Sequence, residues 1–182
     1  MKELNSCMTD RETRLYFLID TNRINARRSS PTMNKLDKWR DSGVIGLILP
    51  QIAHDEAKTG HNAARIRKTL HTIRTILTHE SGMNEILTQI AAILFPMGCR
   101  SKNEQNDVLI VYDAWRNRPY PLITADRAIL RKRDELATLG IMVMTDTEAV
   151  ALVEQRIRER DHDARADAAW SGEPLPKWVG KD

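Results

Sequence analysis

The sequence predicts an α/β protein with three α/β/α layers and a central, mostly parallel sheet. Short apolar runs alternate with segments of helical periodicity along the chain. Strands that alternate with helices in this way pair in parallel through right-handed crossovers. The chain has 182 residues, which is enough for one domain with a substantial core.

Four apolar runs have the composition of buried strands. The first, LYFLID, has five apolar or aromatic residues before it reaches a carboxylate. The second, VIGLIL, is closed by Pro50, and the remaining two are the short runs LIT and IMVM. We therefore predict strands at 15–20, 44–49, 122–124 and 141–144.

Helical signals occur between and after these runs. The segment RIRKTLHTIRTIL repeats its apolar residues at positions 66, 70, 73 and 77, which is the spacing of an amphipathic helix. Pro96 and Gly98 end one helical pattern, and Gly140 follows another at a C-cap position. Thr145 and Glu148 have the spacing of a capping box. The predicted helices are 33–39, 65–77, 83–95, 106–116, 127–139 and 145–160.

Both ends of the chain are predicted to differ from its centre. We expect a polar N-terminal extension at 1–13, a folded domain at 14–160, and an extended or disordered C-terminal arm at 161–182. Trp170 and Trp178 in that arm indicate packing on the domain or on a second subunit. No apolar stretch approaches the ~20 residues that span a bilayer, and the N-terminus lacks the apolar core of a signal peptide. These features predict a cytoplasmic protein.

The net charge is +3, but the positive charge is unevenly distributed. Residues 57–79 contain five basic residues, three histidines and no acid. Such a stripe can serve a polyanionic partner, or it can be the solvated face of a helix. The sequence leaves both interpretations open.

Four acids are predicted to meet at one edge of the sheet. Asp20 and Asp126 follow strands, Glu56 begins a helix after the second strand, and Asp107 lies near the start of another helix. Ligands collect at the carboxyl ends of parallel strands. Each acid could instead be a helix cap or a first-turn acid favoured by the helix dipole. Four unneutralised carboxylates in one cleft would repel one another, however, so the set predicts a bound cation.

The expected cation is Mg²⁺ or Mn²⁺, because both prefer oxygen ligands and bind phosphate oxygens in their open positions. A cation held by carboxylates can activate a water and stabilise the charge that develops on the phosphorus and on the leaving oxygen. The sequence contains no Walker GxxxxGK[ST] motif and no GxGxxG motif, so it gives no support to a nucleotide cofactor. The four acids therefore predict metal-dependent chemistry at a phosphate group.

The acids and their surroundings resemble those of the PIN domain, a metal-dependent nuclease fold. The similarity rests on FLIDTN, ILPQIAHDEAK, NDVLIVYDA and PLITADRAI, in that order, and extends over about 15–153. It is strongest to the bacterial PIN ribonucleases of the VapC toxin type. The resemblance implies an endoribonuclease with RNA as substrate, an antitoxin protein as partner, and assembly as a homodimer.

The resemblance also assigns roles to individual residues. It implies that Asp20, Glu56, Asp107 and Asp126 form the catalytic quartet that binds Mg²⁺ or Mn²⁺. Two neighbours match family positions that support the quartet, and three basic residues are candidates for substrate binding. The supporting residues are Asn22 and Thr124, and the basic candidates are Arg23, Arg65 and Lys68.

Two alternatives stay open at the level of sequence. A PIN-like domain can act as a catalytically silent module that binds RNA or a protein, and the same acids can cut DNA.

The sequence also indicates roles for two further residues. Arg23 can hold substrate phosphates, or it can simply be a solvated residue on a helix surface. Asp113 lies one residue off the face of Asp107, so we expect it to be an ordinary surface acid.

Overall fold

The computed structural model describes residues 11–20, 22–23, 30–50, 52, 76–77 and 85–182. Five strands form its sheet: β1 (Leu15–Ile19), β2 (Ile45–Pro50), β3 (Ile76–Leu77), β4 (Leu122–Ile123) and β5 (Val143–Met144). The helices of the described part are α1 (Pro31–Asp41), α2 (Glu85–Leu94), α3 (Lys102–Arg116), α4 (Arg127–Arg131), α5 (Arg133–Ala137) and α6 (Asp146–Ser171).

The sheet is parallel throughout, with the strand order β3-β2-β1-β4-β5. The central strand β1 pairs with β2 from Leu15 opposite Ile45 to Leu18 opposite Ile48. On its other side it pairs with β4, where Leu18 lies opposite Leu122. All five carboxyl ends therefore lie along one edge, with β1 in the middle.

Alternating side chains of the strands divide the core into two clusters. Phe17 and Ile19 of β1 face one side and pack with α1 and α6. Leu18 faces the other side and packs with α2, α3, α4 and α5. Period-two alternation of this kind buries both faces of a strand that has helices on each side. The structure thus confirms the predicted three-layer α/β/α fold.

Several predicted helices differ from the observed ones. Helix α3 begins at Lys102 rather than at 106, and two other segments depart further. The segment 65–77 was expected to be helical to its end, but Ile76 and Leu77 form β3 and pair with Leu49 and Pro50. Pairing with β2 overrides the helical spacing there. The segment 127–139 is not one helix, because the backbone turns out of helical geometry at Lys132 (φ −102°, ψ 9°). Neither Gly nor Pro marks that break in the sequence.

The prediction of an extended or disordered arm from residue 161 is wrong for its first half. Helix α6 continues to Ser171 and ends at Gly172, which has a left-handed conformation (φ 72°). Its buried face continues past residue 160 through Asp161 and Ala164. These small or charged residues do not extend an apolar stripe, so the sequence pattern fades although the helix does not.

The remaining residues of the arm fold back onto α6. The guanidinium of Arg160 stacks on the ring of Trp178 at 4.4 Å and binds the carboxylate of Asp182 at 3.1 Å. The amide of Gly180 donates to the carboxylate of Asp161 at 2.7 Å. Trp178 therefore packs on the domain, whereas Trp170 is 92% exposed. No helix of the described residues is both long and apolar enough to cross a membrane.

Candidate functional site

The candidate site lies along the carboxyl edge of the sheet. Asp20 follows β1, Thr124 follows the neighbouring strand β4, and Asp146 follows β5. Backbone hydrogen bonds hold these ends in register, since the amide of Asp20 donates to the carbonyl of Ile123 at 3.0 Å. The amide of Thr124 donates in turn to the carbonyl of Met144, also at 3.0 Å.

Asp20 is the centre of this edge and is only 4% exposed. Its Oδ2 accepts a hydrogen bond from the Thr124 hydroxyl at 2.5 Å and another from the Asn22 amide at 2.7 Å. A buried carboxylate requires such donors, because removing it from water is otherwise costly. The two bonds fix the orientation of the carboxylate. Both donors are the residues expected to support Asp20, and their role towards a metal stays a prediction.

The Thr124 hydroxyl connects Asp20 to Asp126. It donates to Asp20 and accepts from the backbone amide of Asp126 at 2.9 Å. Oδ1 of Asp126 caps α4, because it accepts from the amides of Ala128 and Ile129 at 2.6 and 3.2 Å. The predicted capping role of Asp126 is therefore real. Its other carboxylate oxygen accepts no hydrogen bond from any described residue and remains compatible with ligand binding.

The structure describes only some of the other predicted site residues. Asp107 lies half-buried in the second turn of α3, and its face-mates Ile110 and Ala114 are buried in the core. Glu56, Arg65 and Lys68 lie outside the described residues, as does most of the basic stripe at 57–79.

The expectation that Asp113 is an ordinary surface acid is wrong. Asp113 is 2% exposed and lies on the same face of α3 as Asn106 and Ile110, at the spacing i, i+4, i+7. The inward-facing side of α3 is therefore wider than the face that carries Asp107, Ile110 and Ala114.

Asp146 is a buried acid at the same edge that the sequence argument missed. It is 8% exposed, and its Oδ2 accepts from the hydroxyls of Ser30 at 2.9 Å and Thr32 at 2.6 Å. Arg23 adds an ion pair at 3.2 Å. Burial alone would raise the pKa of Asp146, but the hydroxyl hydrogen bonds and the charge of Arg23 outweigh it, so the pKa lies below its ordinary value.

A signal for Asp146 was present in the sequence. In MTDTEAV an acid follows the last strand by two residues, just as Asp126 follows β4 by three. The structure confirms the capping box of Thr145 and Glu148, which accounts for the start of α6 without assigning a role to Asp146. Applying one rule to all strand ends would have included Asp146.

Arg23 connects this acid to the site. Its Nη1 binds Asp146, and its Nε donates to Oδ1 of Asn22 at 3.3 Å. The same Oδ1 accepts from the backbone amide of Ala125 at 3.2 Å. Arg23 was predicted to bind substrate, and part of its guanidinium is used within the protein.

The described donors fit a hard cation in their chemistry. Asp20 and Asp126 offer carboxylate oxygens at the ends of adjacent strands, and Mg²⁺ and Mn²⁺ prefer such ligands. Within the ranges that the structure describes, no three histidine, cysteine, aspartate or glutamate side chains form a group that could hold a metal ion. The predicted quartet is described only in part, because Glu56 lies outside those ranges.

Comparisons with known proteins add no further assignment to this geometry. No protein-family model matches the chain, and no curated protein matches it. The interpretation of the site therefore rests on the residues at the carboxyl edge of the sheet and on the resemblance of their sequence motifs.

Proposed function

We propose that this chain is a divalent-metal-dependent endoribonuclease. One observation carries the proposal: a single buried hydroxyl, that of Thr124, binds both Asp20 and the backbone of Asp126. Two acids from adjacent strands are thereby held at the edge where α/β proteins bind ligands. Asp107 and Glu56 complete the proposed catalytic set.

In the proposed reaction the four acids would hold Mg²⁺ or Mn²⁺, and the bound cation would supply an activated water and stabilisation of charge on the phosphate. Asp20 contributes an oriented carboxylate, because Thr124 and Asn22 leave it little freedom to rotate. Asp126 contributes a second carboxylate whose backbone is anchored by the start of α4. These two carboxylates would fix the position of the bound cation, and water would be the nucleophile.

The choice of RNA as substrate rests on the resemblance to PIN ribonucleases. The proposal extends to a toxin whose partner is an antitoxin, acting on RNA in the cytoplasm as a homodimer. Growth arrest on overexpression, relieved by the product of an adjacent small reading frame, would support that extension. Harmless overexpression of an active nuclease would contradict it.

The test of the nuclease is cleavage of end-labelled RNA by the full chain. Structured RNA, unstructured RNA and single-stranded DNA are each incubated with Mg²⁺, Mn²⁺ or EDTA. We expect metal-dependent cutting of RNA and a loss of at least about 100-fold in Asp20→Asn, since even outer-shell changes at metal sites cost ~10- to 100-fold. Preferential cutting of DNA would replace RNA as the substrate.

Asp134→Asn is the matched control, because Asp134 is an exposed acid on α5. It should cut as fast as the wild type. Circular dichroism and thermal unfolding establish that Asp20→Asn is folded. A folded wild type that binds these RNAs but cuts none of the substrates under either metal would contradict the nuclease and favour a PIN-like binding module.

A further inference from the structure

Asp146 joins three separate parts of the chain at the carboxyl edge of the sheet. It lies in the first turn of α6, and it accepts hydrogen bonds from Ser30 and Thr32 at the start of α1. The third donor is Arg23, which follows β1. All three donors bind the same oxygen, Oδ2. A buried carboxylate with this many donors has a well-defined position.

Arg23 connects the fixed Asp146 carboxylate to the residues around Asp20. Its guanidinium binds Asp146 with Nη1 and Asn22 with Nε, so one planar group bridges the two side chains. Oδ1 of Asn22 accepts from both Arg23 and the amide of Ala125, which sets the orientation of the Asn22 amide. In that orientation Nδ2 donates to Asp20 at 2.7 Å.

We propose that Asp146 is a positioning residue for the candidate metal site and acts on Asp20 through Arg23 and Asn22. The inference rests on the proposed function, because it concerns the metal affinity of that same site. Asp146 touches neither Asp20 nor the reacting atoms in this role. It holds Arg23, and Arg23 keeps the Asn22 amide turned towards the carboxylate.

Asp146→Asn is the variant that tests this chain of contacts. An asparagine has the same shape and can still accept from Ser30 and Thr32, but it lacks the charge that attracts Arg23. The Arg23 side chain then loses its anchor, and the Asn22 amide gains freedom to rotate. We expect the affinity for Mn²⁺ to fall about 10-fold, as is typical when an outer-shell partner of a metal ligand is lost.

Glu148→Gln is the matched control. Glu148 lies in the same first turn of α6, its carboxylate accepts hydrogen bonds from Thr145, and it pairs with Arg133 at 3.0 Å. It has no described contact with Arg23 or Asn22. A simple helix-end effect would therefore appear in both variants, whereas an effect through Arg23 appears only in Asp146→Asn.

The experiment is calorimetric titration of each folded variant with MnCl₂ alone, followed by RNA cleavage across a series of Mn²⁺ concentrations. The expected result is an affinity reduced about 10-fold in Asp146→Asn and within twofold of wild type in Glu148→Gln. Arg23→Gln should show the same loss as Asp146→Asn, and the double variant should show no further loss. Arg23→Gln also serves as the test if Asp146→Asn fails to fold.

The outcomes separate the two proposals. Unchanged Mn²⁺ affinity in both Asp146→Asn and Arg23→Gln, with a wild type that binds Mn²⁺ and cuts RNA, would overturn the positioning role alone. Equal losses in Asp146→Asn and Glu148→Gln would also overturn it and assign the effect to the end of α6. A wild type that binds no Mn²⁺ and cuts no RNA would overturn the proposed function, and the positioning role with it.

Discussion

Thr124 illustrates how one hydroxyl organises the candidate site. It is fully buried, donates to Asp20, and accepts from the amide of Asp126. Serine or threonine can play both parts, since a hydroxyl is a donor and an acceptor at once. The hydroxyl group at position 124 is therefore more important for the site than the size of the side chain.

We predict that Thr124→Val destabilises the protein by about 1–3 kcal/mol, whereas Thr124→Ser has a smaller effect. Valine keeps the shape but leaves the Asp20 carboxylate without one donor and the Asp126 amide without its acceptor. Serine keeps both hydrogen bonds and removes only a methyl group. Urea unfolding of the three proteins measures the difference, and equal stabilities for valine and threonine would contradict the role of the hydroxyl.

At the scale of elements, the pairing of β1 with β2 depends on a glycine. Tyr16 lies directly opposite Gly46, and a Cβ added at Gly46 would come within 2.2 Å of the Tyr16 ring. The ring also packs on Tyr120 with centroids 5.3 Å apart, and its hydroxyl donates to Glu12. The aromatic ring thus covers the glycine and cannot move without losing these contacts.

Gly46→Ala should therefore destabilise the fold by about 1–3 kcal/mol, as overpacking of a well-filled site does. The effect should shrink in a Tyr16→Ala background, where the space above the strand is empty. Denaturant unfolding of the wild type, both single variants and the double variant gives the coupling. Additive effects would show that Tyr16 is not the obstacle.

At the scale of the whole molecule, α6 holds both described ends of the chain. Arg160 donates to the backbone carbonyl of Arg11 and binds the carboxylates of Asp161 and Asp182. Arg11 also binds Asp182, whose side chain is only 2% exposed. Burial would raise the pKa of Asp182, but hydrogen bonds from the two arginines and their charges lower it below its ordinary value.

The buried carboxylate of Asp182 should make the stability of the protein depend on pH. Because the pKa of Asp182 is lower in the folded protein, its contribution is full above about pH 4 and is lost as the pH falls through the folded value. We expect Asp182→Asn to be about 1–2 kcal/mol less stable than wild type at pH 6. This difference in the free energy of unfolding between wild type and Asp182→Asn should disappear at acidic pH.

Thermal or urea unfolding between pH 6 and pH 2 measures this gap. Asp134→Asn, with its exposed side chain, should follow the wild type across the whole range. A gap between wild type and Asp182→Asn that stays constant down to pH 2 would contradict the contribution of the buried charge.

The sequence by itself determined the fold class and the approximate places of most of the described strands and helices. Apolar runs such as LYFLI and VIGLIL are contiguous, and their burial follows from composition alone. The helix cap at Thr145 likewise depends only on residues three positions apart, Thr145 and Glu148. The placement of Asp20 and Asp126 at one sheet edge followed from a general rule about parallel strands.

Only the tertiary structure decided which distant side chains meet. The pairing of Ile76 and Leu77 with β2 turned the end of a helical pattern into a strand. The burial of Asp146 depends on Ser30 and Thr32, which lie more than a hundred residues earlier in the chain. The spacing of apolar residues depends only on neighbouring positions in the chain. Contacts between distant side chains depend instead on the order of the strands and on how the helices pack over the sheet. The spacing within a single segment does not specify either of these.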